Sequence, residues 1–306
     1  MFTNFETNKV FFAKGLSSAS YCPAAKSLIS ALDNQHVEWE QLPLTDSPLH
    51  IWARDYMPVQ VSEKKFVRFD YSPDYLRDYP EYKPDTSAIL SELGLTVIDT
   101  DLVVDGGNVV SCGNKVIMTD KIFRENTHVT RANLVNSLVR LLDAEIALIP
   151  EDVYEEYGHA DGMVRYMGDG NVLLNNYCDF DKALRRKLLA ALSPHFNITE
   201  LHYGTHTGQN WAYLNFLHVG QHIFVPMTGD KLDETAFRQI ADAYPNCHCH
   251  PILHCESIVN DGGALNCTTW NILMNYKAPI WVLPNNKHIQ FTKREEFCSC
   301  LIKVIS

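Results

Sequence analysis

Four short segments of this chain carry side chains that could act together on a substrate. Gly158-His159-Ala160-Asp161-Gly162 leads into the β-like run MVRYM. Residues two apart in a strand share a face, so the spacing predicts the imidazole and the carboxylate side by side. Histidine shuttles protons near neutral pH, and the carboxylate could either orient it or bind substrate. In Asp261-Gly262-Gly263-Ala264-Leu265-Asn266-Cys267 a thiol follows a glycine pair, which suits a sharp turn where backbone and substrate approach closely. Of the nine cysteines, Cys267 stands between that pair and polar Asn and Thr neighbours rather than in an apolar run, which makes it the candidate nucleophile. In His50-Ile51-Trp52-Ala53-Arg54-Asp55-Tyr56-Met57-Pro58 the proline disfavours helix at Met57, predicting a short loop that presents the Trp52 indole and the Asp55 carboxylate. Asp105-Gly106-Gly107-Asn108 places another carboxylate at a glycine turn. Taken singly, each segment reads equally as an ordinary turn or strand end.

The elements that would position them are those of an α/β protein. Runs such as KKFVRFD, DLVVDGGNVV, KVIMTD, GMVRYM, NVLLNN, HIFVPM and IWVLP read as strands, and CPAAKSLISALDNQ, RANLVNSLVRLLDAE and DKALRRKLLAALSPH read as helices. Marked at Trp52, Asp105, His159, Asn215 and Gly262, the polar strand ends are separated by 53, 54, 56 and 47 residues. Such near-even steps suggest a repeated unit of strands plus a helix, five of which would bring one polar motif each to a shared centre. No linker or low-complexity tract divides residues 1–306, so a single catalytic domain is expected.

Composition narrows the function. A formal net charge of −11 and a pI near 5.6 argue against a nucleic-acid partner and favour small cations. The N-terminal MFTNFETNKVFFAKG lacks the basic and apolar regions of a secretory signal, and no apolar run reaches the roughly 18 residues of a membrane span. A cytoplasmic protein without membrane association is expected. An odd set of irregularly spaced cysteines then reads as reduced thiols, with Cys298 and Cys300 structural. Cys247-His248-Cys249-His250 with His254-Cys255 offers zinc-type ligands, but no matching pair lies elsewhere, so no metal is expected.

One cysteine, one histidine and three aspartates beside Gly, Trp or Pro landmarks are a constellation rather than scattered turns. WARDYMP, DGGN, GHADGMVRY, AYLNF and GGALNCTT resemble, in order from Trp52 to Trp270, the motifs of the agmatine deiminase and bacterial (Porphyromonas-type) peptidylarginine deiminase family. The resemblance implies a five-bladed α/β propeller, the pentein fold of guanidine-modifying enzymes. It also implies Cys267 as nucleophile, His159 as general acid/base, Asp55 and Asp161 as a guanidinium clamp, and Trp52 as a pocket wall. Asn215 matches a family asparagine near the active site, and Asp105 and Gly263 fall in the substrate-binding motifs. The chain departs from the pattern where many agmatine deiminases carry Glu at the Asp105 position and His at the Asn266 position.

The reaction expected is hydrolysis of a guanidinium to a ureido group and ammonia through a covalent thiouronium, without metal or organic cofactor. Agmatine is the foremost substrate, which would place the enzyme in putrescine and polyamine biosynthesis. Peptidyl-arginine and other alkylguanidines stand as alternatives. Two other classes use similar residues: a Cys-His-Asp amide hydrolase, which has no use for several convergent aspartates, and a non-catalytic guanidine-binding protein. Oligomeric state is not legible in the sequence.

Overall fold

A strand buried on both faces must be apolar at consecutive positions, and KVIMT, NVLL and HIFVP have that character. A computed structural model describes residues 1–154 and 157–274, together with the antiparallel strands Trp281–Val282 and His288–Ile289. The chain divides into two compact units, Met1–Leu273 and Met274–Ser306. The second holds that strand pair. The remainder of the predicted IWVLP strand, and Cys298 and Cys300, lie outside the described residues.

The first unit contains β1 (Lys9–Ala13) and β2 (Glu38–Leu42), paired in parallel. Four sheets of one design follow: β3 (Val59–Ser62), β4 (Lys65–Asp70) and β5 (Ile98–Val103); β6 (Val110–Ser111), β7 (Lys115–Thr119) and β8 (Glu145–Ile149); β9 (Val164–Gly168), β10 (Asn171–Leu174) and β11 (Asn197–Glu200); β12 (Leu217–Val219), β13 (His222–Pro226) and β14 (His248–Ile252). In each, the first two strands are antiparallel and the last two parallel. The final strand, β15 (Thr269–Ile272), lies antiparallel to β1, so the two ends of the unit complete a fifth sheet of the same design.

A parallel step needs a crossover, and each carries one helix longer than a single turn: α1 (Cys22–Asn34), α2 (Thr86–Glu92), α3 (Arg131–Leu142), α4 (Lys182–Leu192) and α5 (Asp233–Ala243). The buried faces follow helical spacing, as with Leu134, Leu138 and Leu142 in α3 and Leu184, Leu188 and Leu192 in α4. Thr130 and Asp181 cap these two helices by accepting hydrogen bonds from the first-turn N–H groups of Asn133 and of Ala183 and Leu184. Middle strands face two cores at once. Val116 and Met118 of β7 pack with Val67 and Phe69 of β4, while Ile117 packs with Val164 and Val172 of the next sheet. Leu173 then joins Ile223 and Val225, and Phe224 joins Val10 and Phe12. Successive sheets therefore share cores from β3–β5 round to β1. Among the described residues no helix is long and apolar enough to cross a membrane.

Candidate active site

Every predicted motif lies on the short connection that enters the first strand of a sheet. Asp55 sits on the single helical turn Ala53–Tyr56 ahead of β3, and Asp105 immediately precedes the turn Gly106–Asn108 ahead of β6. His159 immediately precedes the turn Ala160–Gly162, which carries Asp161 ahead of β9. Asn215 ends the turn Trp211–Leu214 ahead of β12, and Cys267 stands two residues before β15. Two local expectations are corrected. The Trp52–Pro58 segment is one helical turn rather than a loop, closed by extended backbone at Met57 before the proline. The strand at GMVRYM begins at Val164, so His159 and Asp161 occupy a 3₁₀ turn and do not share a strand face.

Two glycines make the assembly possible. A Cβ on Gly107 would come within 2.7 Å of His159 Nδ1 and 2.8 Å of Asp55 Oδ1, and the Gly107 N–H donates to that same oxygen at 2.9 Å. A Cβ on Gly263 would come within 2.1 Å of Cζ3 of Trp52, so the indole packs directly on backbone.

His159 is buried, with Nε2 donating to Asp105 Oδ2 at 2.7 Å and Nδ1 standing 3.7 Å from Asp55 Oδ1. Burial opposes the imidazolium, but Asp55 and Asp105 together raise the His159 pKa above its ordinary value. Behind it lies a residue that no motif signalled: Lys121, fully buried, with its ammonium on Asp105 Oδ2, 3.2 Å from Glu125 Oε1 and 3.5 Å from His159 Nε2. Tyr75 places its ring 4.8 Å from the same ammonium. Burial would raise the Asp105 carboxyl, yet Lys121 and His159 hold it down at about 2. Burial pushes Asp55 up to about 6, and burial with the neighbouring Asp105 pushes Glu125 up to about 7. Lys121 and Glu125 read in sequence as an ordinary i,i+4 surface pair. Only the fold puts them under His159.

Cys267 is buried, with Sγ 3.7 Å from Asp161 Oδ2, an oxygen that also accepts from Asn266 Nδ2 at 2.6 Å. Burial, then Asp161 and Asp55, hold the Cys267 thiol well above its ordinary pKa. Asn215 fixes the Cys267 backbone, its Oδ1 accepting from Cys267 N–H at 3.1 Å and its carbonyl from Asn266 N–H at 2.9 Å.

A cavity of about 380 Å³ opens onto Trp52, Asp55, His159, Gly262 and Cys267. The rest of its wall is mainly aromatic, from Tyr21, Tyr71, Tyr75, Tyr79, Tyr82 and Tyr157, with exposed Asp261 accepting from Tyr21 Oη at 2.6 Å. Of the residues singled out in the sequence, Trp52, Asp55, His159 and Cys267 thus line one space. Asp105 stands behind His159, Asn215 behind Cys267, Gly263 beneath Trp52, and Asp161 faces a second, smaller cavity. The Cys247–Cys255 tract lies elsewhere: His250 on β14 reaches His222 Nδ1 at 3.2 Å, and Cys247 and Cys249 pack against an apolar core.

This fold of small α/β sheets is similar to that of solved agmatine deiminases. An Enterococcus faecalis agmatine deiminase superposes with a TM-score of 0.70 at 16% identity, covering 88% of this chain and 94% of that one. A cysteine-to-serine agmatine deiminase from C. jejuni with substrate bound gives 0.67 at 15% identity, covering 88% and 95%. A provisionally named agmatine deiminase of Selenomonas ruminantium is 23% identical over 309 residues, spanning 84% of this chain and 82% of its own length. The sequence model of the Porphyromonas-type peptidyl-arginine deiminases matches residues 16–272, and the chain belongs to that family.

Proposed function

We propose that the chain is a guanidine deiminase that converts agmatine to N-carbamoylputrescine and ammonia. The observation that carries this reading is the meeting of Cys267, His159 and Asp55 around one cavity, with Asp161 Oδ2 at 3.7 Å from the thiol sulfur. A guanidinium is planar, cationic and weakly electrophilic. Asp55 and Asp161 would hold its edges by charge-assisted hydrogen bonds, leaving the central carbon open to sulfur. Its positive charge offsets the carboxylates that keep Cys267 protonated, so binding favours loss of the thiol proton to solvent.

The thiolate then forms an S–C bond, and imidazolium His159 donates its proton to the departing nitrogen. Ammonia leaves, and an S-alkylthiouronium remains. Neutral His159 next accepts a proton from water as the hydroxyl adds to the same carbon. The C–S bond breaks, thiolate returns, and loss of the hydroxyl proton leaves the ureido product. Asp105, held ionised by Lys121, would keep the imidazole oriented through both steps.

Substrate choice rests on the far end of the cavity. Six tyrosines and the Asp261 carboxylate suit a second cation, such as a terminal ammonium, through ring faces and charge. Arginine and a C-terminal peptidyl arginine bring a carboxylate there instead. The five sheets of one strand order, and the cores shared by successive sheets, support reading the unit Met1–Leu273 as one catalytic five-bladed propeller. The test is incubation with agmatine, arginine and a peptide ending in arginine, measuring ammonia and ureido product, with Cys267→Ala as control. Cys267-dependent turnover of agmatine is expected. Turnover of the peptide alone would move the enzyme to the protein-modifying branch, and full activity of Cys267→Ala would overturn the mechanism.

A further inference from the structure

Neighbouring residues of three motifs face two different cavities that share no lining residue. Asp55, His159 and Cys267 face the larger one, while Arg54, Asp161 and Asn266 face a second of about 70 Å³ that Ser111, Arg165 and Asn271 also line. Arg165 is 3% exposed, and its Nη2 is buried with no hydrogen-bond partner. Its guanidinium lies 4.7 Å from the Phe216 ring, a contact that supplies no acceptor. The Ser111 hydroxyl, on the same wall, is also buried and unpartnered. Arg54 is better served, donating to Asn271 Oδ1 and, from Nε, to the Asn266 carbonyl at 3.3 Å.

Charges do not balance across this space. Two guanidiniums meet one carboxylate, and Asp161 already has an oxygen committed to Asn266 and facing Cys267. Buried unpaired charge and unmet donors are both costly, and such orphans commonly mark water or an ion. Burial and the neighbouring Arg165 lower Arg54 to about 10, and burial lowers Arg165 as well. A water needs on the order of 10–15 Å³ of such volume, so the cavity has room for a small ion with a few waters and for no larger organic group.

We propose that the Arg54–Arg165 cavity binds one small monovalent anion, with Arg165 and the Ser111 hydroxyl as its donors. One negative charge cancels the surplus, and guanidinium and hydroxyl groups are the donors such an ion takes. No residue lines both cavities, although Asp161, assigned above to the guanidinium, lies between them with Oδ2 3.7 Å from Cys267 Sγ; the inference does not depend on the deiminase reading.

Thermal unfolding of the whole protein, in sodium chloride against sodium gluconate at matched ionic strength, tests it without any turnover. A saturable rise in midpoint with chloride is expected, lost in Arg165→Gln. Equal midpoints in the two salts at every concentration would mean a cavity holding water alone and would overturn the proposal, as would a chloride dependence that survives in Arg165→Gln. Should that variant not fold, Ser111→Leu removes the other proposed donor and fills the cavity instead. Chloride-35 NMR line broadening present in the native protein and lost in Ser111→Leu supports the site, and broadening equal in both refutes it.

Discussion

Lys121→Met removes a cation whose side chain is wholly inaccessible, leaving the Asp105 and Glu125 carboxylates buried without it. Breaking a buried ion pair by deleting one partner costs about 3–5 kcal/mol. Glu125, already up at about 7, relieves part of this by taking a proton. For a chain of this size the remainder lowers the melting midpoint by on the order of 10 °C. The effect on chemistry runs through His159, which stands 3.5 Å from the lost ammonium. Unit charges at that distance repel by about 5 kcal/mol at an effective dielectric near 20. That figure is a ceiling, and the direction is upward, because Lys121 is among the groups that lower the His159 pKa. The assay is kcat/KM against pH for native protein, Lys121→Met and Lys121→Arg, with midpoints read alongside. The limb belonging to His159 moves up in Lys121→Met and stays put in Lys121→Arg. A Lys121→Met enzyme with native midpoint and native pH profile would refute the account of the buried ion cluster.

Asp55→Asn keeps the acceptor for Gly107 N–H but removes a carboxylate pushed up by burial to about 6. A carboxyl raised in the fold binds a proton that the unfolded chain has released, so its contribution to stability falls as pH rises from about 4 to about 6. The variant melts above the native protein at pH 7.5, loses that slope in melting scans from pH 4 to 7, and falls at least about a hundredfold in turnover. Asp105 runs the opposite way: lowered to about 2, it adds stability above the ordinary carboxylate range that is lost as pH falls toward 2, and Asp105→Asn flattens the acid side of the same scan. Gly263→Ala puts a carbon where the Trp52 ring lies, so KM rises several-fold, measured by steady-state ammonia release, while the Cys267 thiol still titrates with iodoacetamide. Cys267, held above its ordinary pKa, is alkylated slowly at pH 7 and faster as pH rises, followed by mass spectrometry.

How far the fold was legible varied with where its signals lie along the chain. β7, β10 and β13 were readable because burial on both faces makes them continuous apolar runs, and α3 and α4 because leucines recur every four residues. The pairing of Lys9–Ala13 with Thr269–Ile272 was not, since no local pattern links segments at opposite ends. The site was legible as residue types, with Trp52, Asp55, His159 and Cys267 on one cavity. Their local geometry was less so, because a glycine before a β-like run marks the place of a turn without showing whether the flanking His159 and Asp161 already belong to the strand. Lys121 escaped notice because an amphiphilic DKIFRE segment looks solvent-facing until the fold closes over it.

The seam between β1 and β15 bears on how the molecule is made. Cys267 stands two residues before the strand that must dock on Lys9–Ala13, a segment at the other end of the unit. Contacts so distant in sequence form slowly, after local hairpins and crossovers. A nascent chain can therefore arrange Asp55, Asp105 and His159 while the thiol still has no fixed place among them. Cys267 takes its place beside them only as β15 docks on β1, so assembly of the proposed site waits on closure of the fifth sheet. The same seam is where a strained or partly opened molecule would lose activity before it lost most of its structure.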